Sequence, residues 1–344
     1  MAKRSSLTAL NLHRMALRIV ATVLVLMGTP LILCAHTVGI ETNKATGPLK
    51  PGEYYWKPEL SPRGPVVLVV SLPKQVMVVY RNGIQIGRST VSTGAGKKAT
   101  PTGVFEILQK KEEHYSNIYN NAPMPYMQRL TWTGIALHAG KLPGYPASKG
   151  CIRLPYDFSE RLFTVTKMGG TVIIANDKSP NAAFTANPGL ALAPKDTSEA
   201  TLPALGKDQY QWMPEKSTKG PVTFLISASD HKLYAYRNGV LIGRGTVEIR
   251  GSRSLGDHTY TLLEGTTGKP STLIPNRIAR RWMEVATDSN GTTTTTEELS
   301  RRLRITPLFA QRLYDAIAPG TTIVVTDEAA LPDADANLTI ISND

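Results

Sequence analysis

Apolar residues in this chain fall mainly in short runs rather than at helical spacing. Val66-Val-Leu-Val-Val70 is a β-branched run, Gln75–Tyr80 is a second, and Ile84–Val91 is a third. Each predicts a strand, because branched and aromatic side chains suit a pleated surface. Asn82-Gly83, between the last two, predicts a tight hairpin, since both residues tolerate positive φ. Over Tyr156–Met168 the period changes. Phe158, Leu162 and Val165 fall on one face, predicting a helix that Gly169-Gly170 can stop. Thr171–Ala175 returns to strand, and Ile135–Leu137 predicts a short strand ending at His138. The expectation is a mainly β fold with one or two short helices per repeat.

The pattern occurs twice. Gly64-Pro-Val-Val-Leu-Val-Val-Ser71 aligns with Gly220-Pro-Val-Thr-Phe-Leu-Ile-Ser227, Tyr80-Arg-Asn-Gly83 with Tyr236-Arg-Asn-Gly239, and Ile86-Gly-Arg88 with Ile242-Gly-Arg244. All three pairs are 156 positions apart. Farther on, Ile152-Arg-Leu154 aligns with Leu303-Arg-Ile305 and Thr171-Val-Ile-Ile174 with Thr322-Ile-Val-Val325, now 151 apart. Repetition at a fixed separation predicts a tandem duplication. The expected organisation is an export segment at 1–40, a Pro-containing spacer at 41–62 and a first copy at 63–178. A Pro/Ala-rich linker at 179–217, a second copy at 218–328 and a tail at 329–344 follow.

The N-terminal segment predicts a place outside the cytoplasm for this architecture. Lys3, Arg4, Arg14 and Arg18 precede the apolar stretch Ile19–Leu33, the pattern of a secretion signal. The segment predicts export to the periplasm or cell envelope, either as a cleaved signal or as an anchor in the inner membrane. The chain of 344 residues has a formal charge of +12, which favours an anionic setting. No compact nucleic-acid motif and no dense basic run beyond the N-terminus occurs, so nucleic acid is not an expected partner. Of two cysteines, Cys34 lies in or beside the export segment. Cys151 is then a lone thiol in an exported chain: reactive, awaiting an intermolecular partner, or buried and inert.

The surroundings of Cys151 point to chemistry. His138 stands 13 residues before it, across a turn-forming Pro143-Gly-Tyr-Pro146, and Ser148-Lys-Gly150 leads into the thiol. A cysteine nucleophile needs an imidazole to take its proton and later return one to the leaving amine. Gly150 lets the backbone turn so that adjacent N–H groups can face an oxyanion. No residues have metal-ligand spacing, and neither metal nor cofactor is expected. His114, among charged neighbours, reads as part of a solvated segment. Trp132 and Trp212 read as packing residues.

His138 through Pro155 resembles the active-site signature of the L,D-transpeptidase (YkuD-like) family, a histidine followed by a Ser/Thr-His-Gly-Cys element. The runs Asn121–Leu137, Ser92-Thr-Gly94 and Thr100-Pro-Thr-Gly103-Val-Phe105 share that likeness, which spans about Pro65–Ala175. The resemblance implies an L,D-transpeptidase-like β-sandwich and peptidoglycan stem peptides as substrate. Cys151 would attack a diamino-acid carbonyl and expel the terminal D-alanine, with His138 as base and then acid. The N–H groups of Gly150 and Cys151 would hold the oxyanion. Ser148 would shape the loop, Arg153 would brace the site or meet a substrate carboxylate, and Tyr126 would line the approach. The acyl acceptor would be a second stem, an envelope protein or water. In place of the family's second histidine stands Lys149, which can act on the thiol only as a cation; the alternative is a catalytically impaired peptidoglycan-binding or scaffold protein. In the second copy Arg301 and Arg302 replace Gly150 and Cys151, and no histidine follows His258. That copy is expected to be catalytically degenerate, retained either to bind or for structure.

Overall fold

A computed structural model describes residues 36–176, 205–206, 209–252, 254–271, 276–286, 296–327 and 329–330. The apolar export stretch, most of the linker and most of the tail lie outside the described residues. The first half contains β1 (Ile40–Glu41), β2 (Glu53–Trp56), β3 (Val66–Ser71), β4 (Val76–Arg81), β5 (Ile84–Thr90) and β6 (Gly103–Glu106). It continues with β7 (Gln109–Lys111), β8 (Met127–Arg129), β9 (Ala136–Ala139), β10 (Ile152–Leu154), α1 (Tyr156–Val165) and β11 (Thr171–Ala175). The second half contains β12 (Tyr210–Trp212), β13 (Thr223–Ser227), β14 (Lys232–Arg237), β15 (Val240–Thr246), β16 (Glu248–Ile249) and β17 (His258–Pro270). After these come β18 (Ile278–Ala286), α2 (Thr296–Arg302), β19 (Leu303–Arg304), α3 (Pro307–Ala316) and β20 (Thr322–Thr326).

Sheet 1 has the order β1-β2-β5-β4-β3-β11-β6, and sheet 3 has β12-β15-β14-β13-β20-β17-β18. From β2 and β12 onward the two orders correspond strand for strand, including the parallel pairs β3–β11 and β13–β20. The Asn-Gly hairpins form in both halves, with φ of 50° and 82° at Asn82 and Gly83 and of 52° and 73° at Asn238 and Gly239. The halves differ at the edge. In the first, β7–β10 build a separate sheet 2 in the order β10-β9-β8-β7, whereas in the second β17 runs on and pairs with β18.

Two boundaries differ from the sequence reading. The 41–62 spacer contains β2, which pairs with β5, and the 179–217 linker contains β12, which pairs with β15. Tyr54 and Trp56 are buried against Phe158, and Tyr210 and Trp212 pack on Phe309. Prolines hid these strands, yet Tyr54-Tyr-Trp-Lys-Pro-Glu59 and Tyr210-Gln-Trp-Met-Pro-Glu215 stand at the same 156-residue separation. Helix α1 also stops three residues early. Its last turn is closed by Thr166, whose N–H and Oγ1 both bond Leu162 O.

The core explains why the strand signals are runs rather than alternations. Along β3, Leu68 and Val70 face a core with Phe158 and Leu162 of α1, while Val67 and Val69 face Leu225, Tyr234 and Val324 of sheet 3. A strand buried on both faces has no polar side to show. Twelve buried apolar residues form this inter-sheet layer. At roughly 1.5–3 kcal/mol for each large side chain, they outweigh the few polar links between the halves.

The contact is close to two-fold. Thr171 and its counterpart Thr322 meet at 2.6 Å through their hydroxyls. A Cβ on Gly83 would lie 3.2 Å from Leu263, and one on Gly239 would lie 3.3 Å from Leu108. Glu106 breaks the symmetry. Its buried carboxylate accepts from Thr223 Oγ1 at 2.6 Å and from Gly239 N–H at 3.1 Å. Thr261 holds the equivalent register place in sheet 3.

Burial raises the Glu106 carboxyl to about 7, against the pull of these donors and of Arg237. A carboxyl raised on folding favours the native state at low pH. That contribution is lost as pH climbs from about 4.5 to 7. Glu106→Gln keeps an acceptor for Gly239 and offers its amide to Thr223. Unfolding titrations should therefore find the variant and wild type alike near pH 4.5, with the variant ahead by about 3 kcal/mol at pH 8. Parallel stability curves would refute this.

Candidate active site

Strands β9 and β10 run parallel, with Leu137 opposite Ile152 and His138 opposite Arg153. Cys151 precedes β10 and packs on Ala136, Met124 and Met127. Alternate residues of a strand share a face, so His138, two places beyond Ala136, rises on the same side as the thiol. The 12 residues between them therefore serve as the crossover that a parallel pair requires.

That crossover is fastened to the Ser92–Thr100 segment. Ser92 and Arg153 exchange both backbone bonds at 3.0 Å, Ala147 and Ser148 donate to Thr93 O at 2.9 and 3.0 Å, and Ala95 donates to Ser148 O at 3.1 Å. Ser92 Oγ donates to Tyr145 O at 2.8 Å. Buried Thr100 joins two loops, accepting from Gly94 N–H at 2.8 Å and donating to Gly150 O at 2.9 Å. Ser148 Oγ donates to Cys151 O and accepts the Gly150 N–H at 3.1 Å. Gly150 has φ +112°, and a Cβ there would meet Ile135 Cδ1 at 2.6 Å, so glycine is required.

Electrostatics keeps the pair neutral. Burial lowers His138 to about 4, and Arg153, His36 and His114 act in the same direction against the Ala139 carbonyl. His138 Nδ1 lies 2.8 Å from Ala139 O. A carbonyl only accepts, so Nδ1 holds the proton and Nε2 is left as the basic nitrogen. Burial pushes the Cys151 thiol up, partly offset by the Ala136 N–H, Arg153 and Arg129. Its Sγ lies 3.6 Å from Gly134 O. Met124, Met127 and Ala136, on which Cys151 packs, are walls of a cavity of about 170 Å³ that is also lined by His114, Arg129, Trp132 and Gly134.

Several expected residues take other places. Tyr126 does not line the approach to the thiol. Its ring is buried against Tyr156 and Phe163, and its hydroxyl meets Glu160 Oε1 at 3.1 Å. With φ +56°, Tyr126 is turned onto α1, while neighbouring Met124 and Met127 face the cavity. Lys149 is exposed, its Nζ 4.4 Å from the Tyr119 ring centre, and the cations that act on the thiol are Arg153 and Arg129. The Gly150 N–H is engaged by Ser148 rather than open to an oxyanion. His114 and Trp132, read as solvated and as packing, are cavity walls, and Trp132 is 55% exposed. Arg129 carries no signal of its own within the Asn121–Leu137 run. Its position in β8 opposite Ala136 is the signal that would have found it.

In the second half the equivalent backbone serves structure. Arg302, at the place of Cys151, donates from Nε to Arg250 O at 2.9 Å and from a terminal nitrogen to Ser254 O at 3.0 Å. Among the described residues no strand equivalent to β9 accompanies β19, which pairs with β16.

Residues 65–174 match the model of the YkuD L,D-transpeptidase catalytic domain. Among solved structures, an L,D-transpeptidase (Yku) from Stackebrandtia nassauensis is 28% identical over 34% of this chain and 58% of its own, with a TM-score of 0.31. An L,D-transpeptidase from Mycobacterium tuberculosis H37Rv is 22% identical over 33% and 58%, with a TM-score of 0.32. One from Mycobacterium smegmatis is 22% identical over 32% and 58%, with a TM-score of 0.30. The chain thus spans about three fifths of the length of these structures. No curated protein matches it. The chain contains an L,D-transpeptidase catalytic domain at residues 65–174.

Neutral burial of His138 has a measurable sign. Its folded state resists protonation, so stability falls as pH drops from 6.5 toward 4, by about 3 kcal/mol. His138→Gln should lose this slope relative to wild type in unfolding titrations. The Glu106 contribution has the opposite sign and should survive. Iodoacetamide alkylation of Cys151 should show its inflection above the ordinary thiol value. An inflection below that value would contradict the neutral pair.

Proposed function

We propose that the chain is an exported peptidoglycan L,D-transpeptidase with Cys151 as nucleophile. His138 Nε2 takes the thiol proton as Sγ adds to the carbonyl of the diamino acid in a tetrapeptide stem. The resulting oxyanion is met by the Cys151 N–H, since the Gly150 N–H holds Ser148. Collapse breaks the C–N bond, and protonated His138 delivers its proton to the nitrogen of the departing D-alanine. An incoming amine then attacks the thioester, giving His138 a proton that returns to the sulfur as the new amide forms. A stem acceptor gives a 3-3 cross-link, and an envelope protein gives an attachment. Water gives a trimmed stem.

The observation that supports this reading best is the Nδ1–H···O=C bond of His138 to Ala139. It fixes the tautomer in which the other nitrogen can act as base, on the strand beside the thiol. High thiol and low imidazole values leave the proton in place until substrate arrives. Charge then develops only in the transition state, where fixed dipoles help most. We assign the catalytic part to residues 63–178 and place it in the periplasm or cell envelope, delivered by the N-terminal segment. Among the described residues no helix is long and apolar enough to cross a membrane.

Incubation of the full chain with a carbapenem should add one adduct by mass spectrometry. The adduct should disappear in Cys151→Ala. His138→Gln should lower kcat on a tetrapeptide stem by about 10²–10⁴-fold. Neither adduct nor peptide turnover by wild type would sink the proposal, and products made with muropeptide acceptors or water would identify the acceptor.

A further inference from the structure

We infer that Arg129, with His114 beside it, forms the subsite for the free carboxylate of the departing residue, and so restricts acyl donors to stems ending one residue past the scissile bond. This rests on the reading of Cys151 as the acyl-transfer nucleophile.

The placement comes from one row of sheet 2. Arg129 is directly opposite Ala136, and Cys151 packs on Ala136 from the other side. Residues directly opposite in a sheet share a face. Guanidinium and thiol therefore rise from the same surface with one strand between them, and adjacent strands are about 4.8 Å apart. Both Arg129 and Ala136 line the cavity. A carboxylate one residue beyond the attacked carbonyl falls within this span.

Arg129 is suited to the task. Its Nε donates to Gln109 Oε1 at 3.0 Å, which fixes the plane of the guanidinium and leaves its terminal nitrogens for another acceptor. Among the described residues no carboxylate forms an ion pair with it. A planar fork of this kind matches a carboxylate in bidentate fashion. His114 shares the cavity, and burial, then Arg129 and Lys111, lower its proton affinity. A neutral imidazole beside a cation can donate a hydrogen bond to an incoming anion. Ile118, Met124, Met127 and Trp132 form the apolar part of the walls, beside Asn117, Thr133 and Gly134. The apolar part strengthens the ion pair. A stem with a further residue would present a peptide amide at this point, and the guanidinium would face no charge.

The test uses the full chain carrying Cys151→Ala, which binds without turnover, titrated with a tetrapeptide stem as the free acid and as its C-terminal amide. The free acid should bind at least tenfold more tightly. Adding Arg129→Gln should reduce the acid-to-amide ratio to about one, while Arg129→Lys should restore part of it, with an unchanged unfolding midpoint confirming the fold. With Cys151 intact, the preference in kcat/KM for acid over amide should collapse in the same way. Equal affinity for the two peptides, no binding of either, or a preference untouched by Arg129→Gln would each overturn the subsite. Discrimination by the Cys151→Ala chain without turnover by wild type would keep the subsite and reject acyl transfer. Turnover indifferent to amidation would do the reverse.

Discussion

The constraint on which the rest of the structure depends is the double burial of the central strands. Val67, Val69, Val104 and Ile173 of sheet 1 face Leu225, Tyr236 and Val324 of sheet 3, while the intervening residues of the same strands hold α1 in place. Separating the halves would leave an apolar sheet face in water, a cost that the surface ion pair Arg63–Glu264 could not offset. The second half is thus a wall of the first half's core. That half has no cysteine, and its Arg302 bonds the backbone carbonyls of Arg250 and Ser254.

This frame reaches the site through sheet 2. Glu106 ends β6 at the boundary between the halves, and β7 begins three residues later and leads toward the cavity. Trp132 of the cavity wall would lie 3.7 Å from a Cβ on Gly239 of the second half. Position is therefore imposed on the reactive residues from outside their own loop. The hydrogen bonds from Ser92, Thr93 and Thr100 complete it by holding the crossover from one side. The proposed mechanism needs no preformed ion pair, because burial and the Ala139 carbonyl together hold a neutral imidazole in one tautomer.

Lys149 shows how spacing alone can mislead about electrostatics. It adjoins Gly150 in sequence, but an exposed side chain over Tyr119 sits in high dielectric, where its charge is screened. Arg129, 22 residues from the thiol in sequence, draws its proton affinity down, as does Arg153. Tyr126 shows the converse. A residue in a run that resembles the family's active-site neighbourhood faces the helix instead, because its backbone takes a left-handed turn before β8.

The strands, both Asn-Gly hairpins, the repeated motifs and the Cys151–His138 candidate pair are legible in the amino-acid sequence. Each is written in local periodicity, in residues that tolerate positive φ, or in a fixed separation. It also contained the β2 and β12 repeat, masked by proline-rich surroundings. Only the tertiary structure decided that the repeats share a core, that Glu106 is buried between them, and that Arg129, His114 and Trp132 gather beside the thiol. Those relations depend on which sheet faces meet and which strands pair across long separations, and such contacts leave no period in the chain.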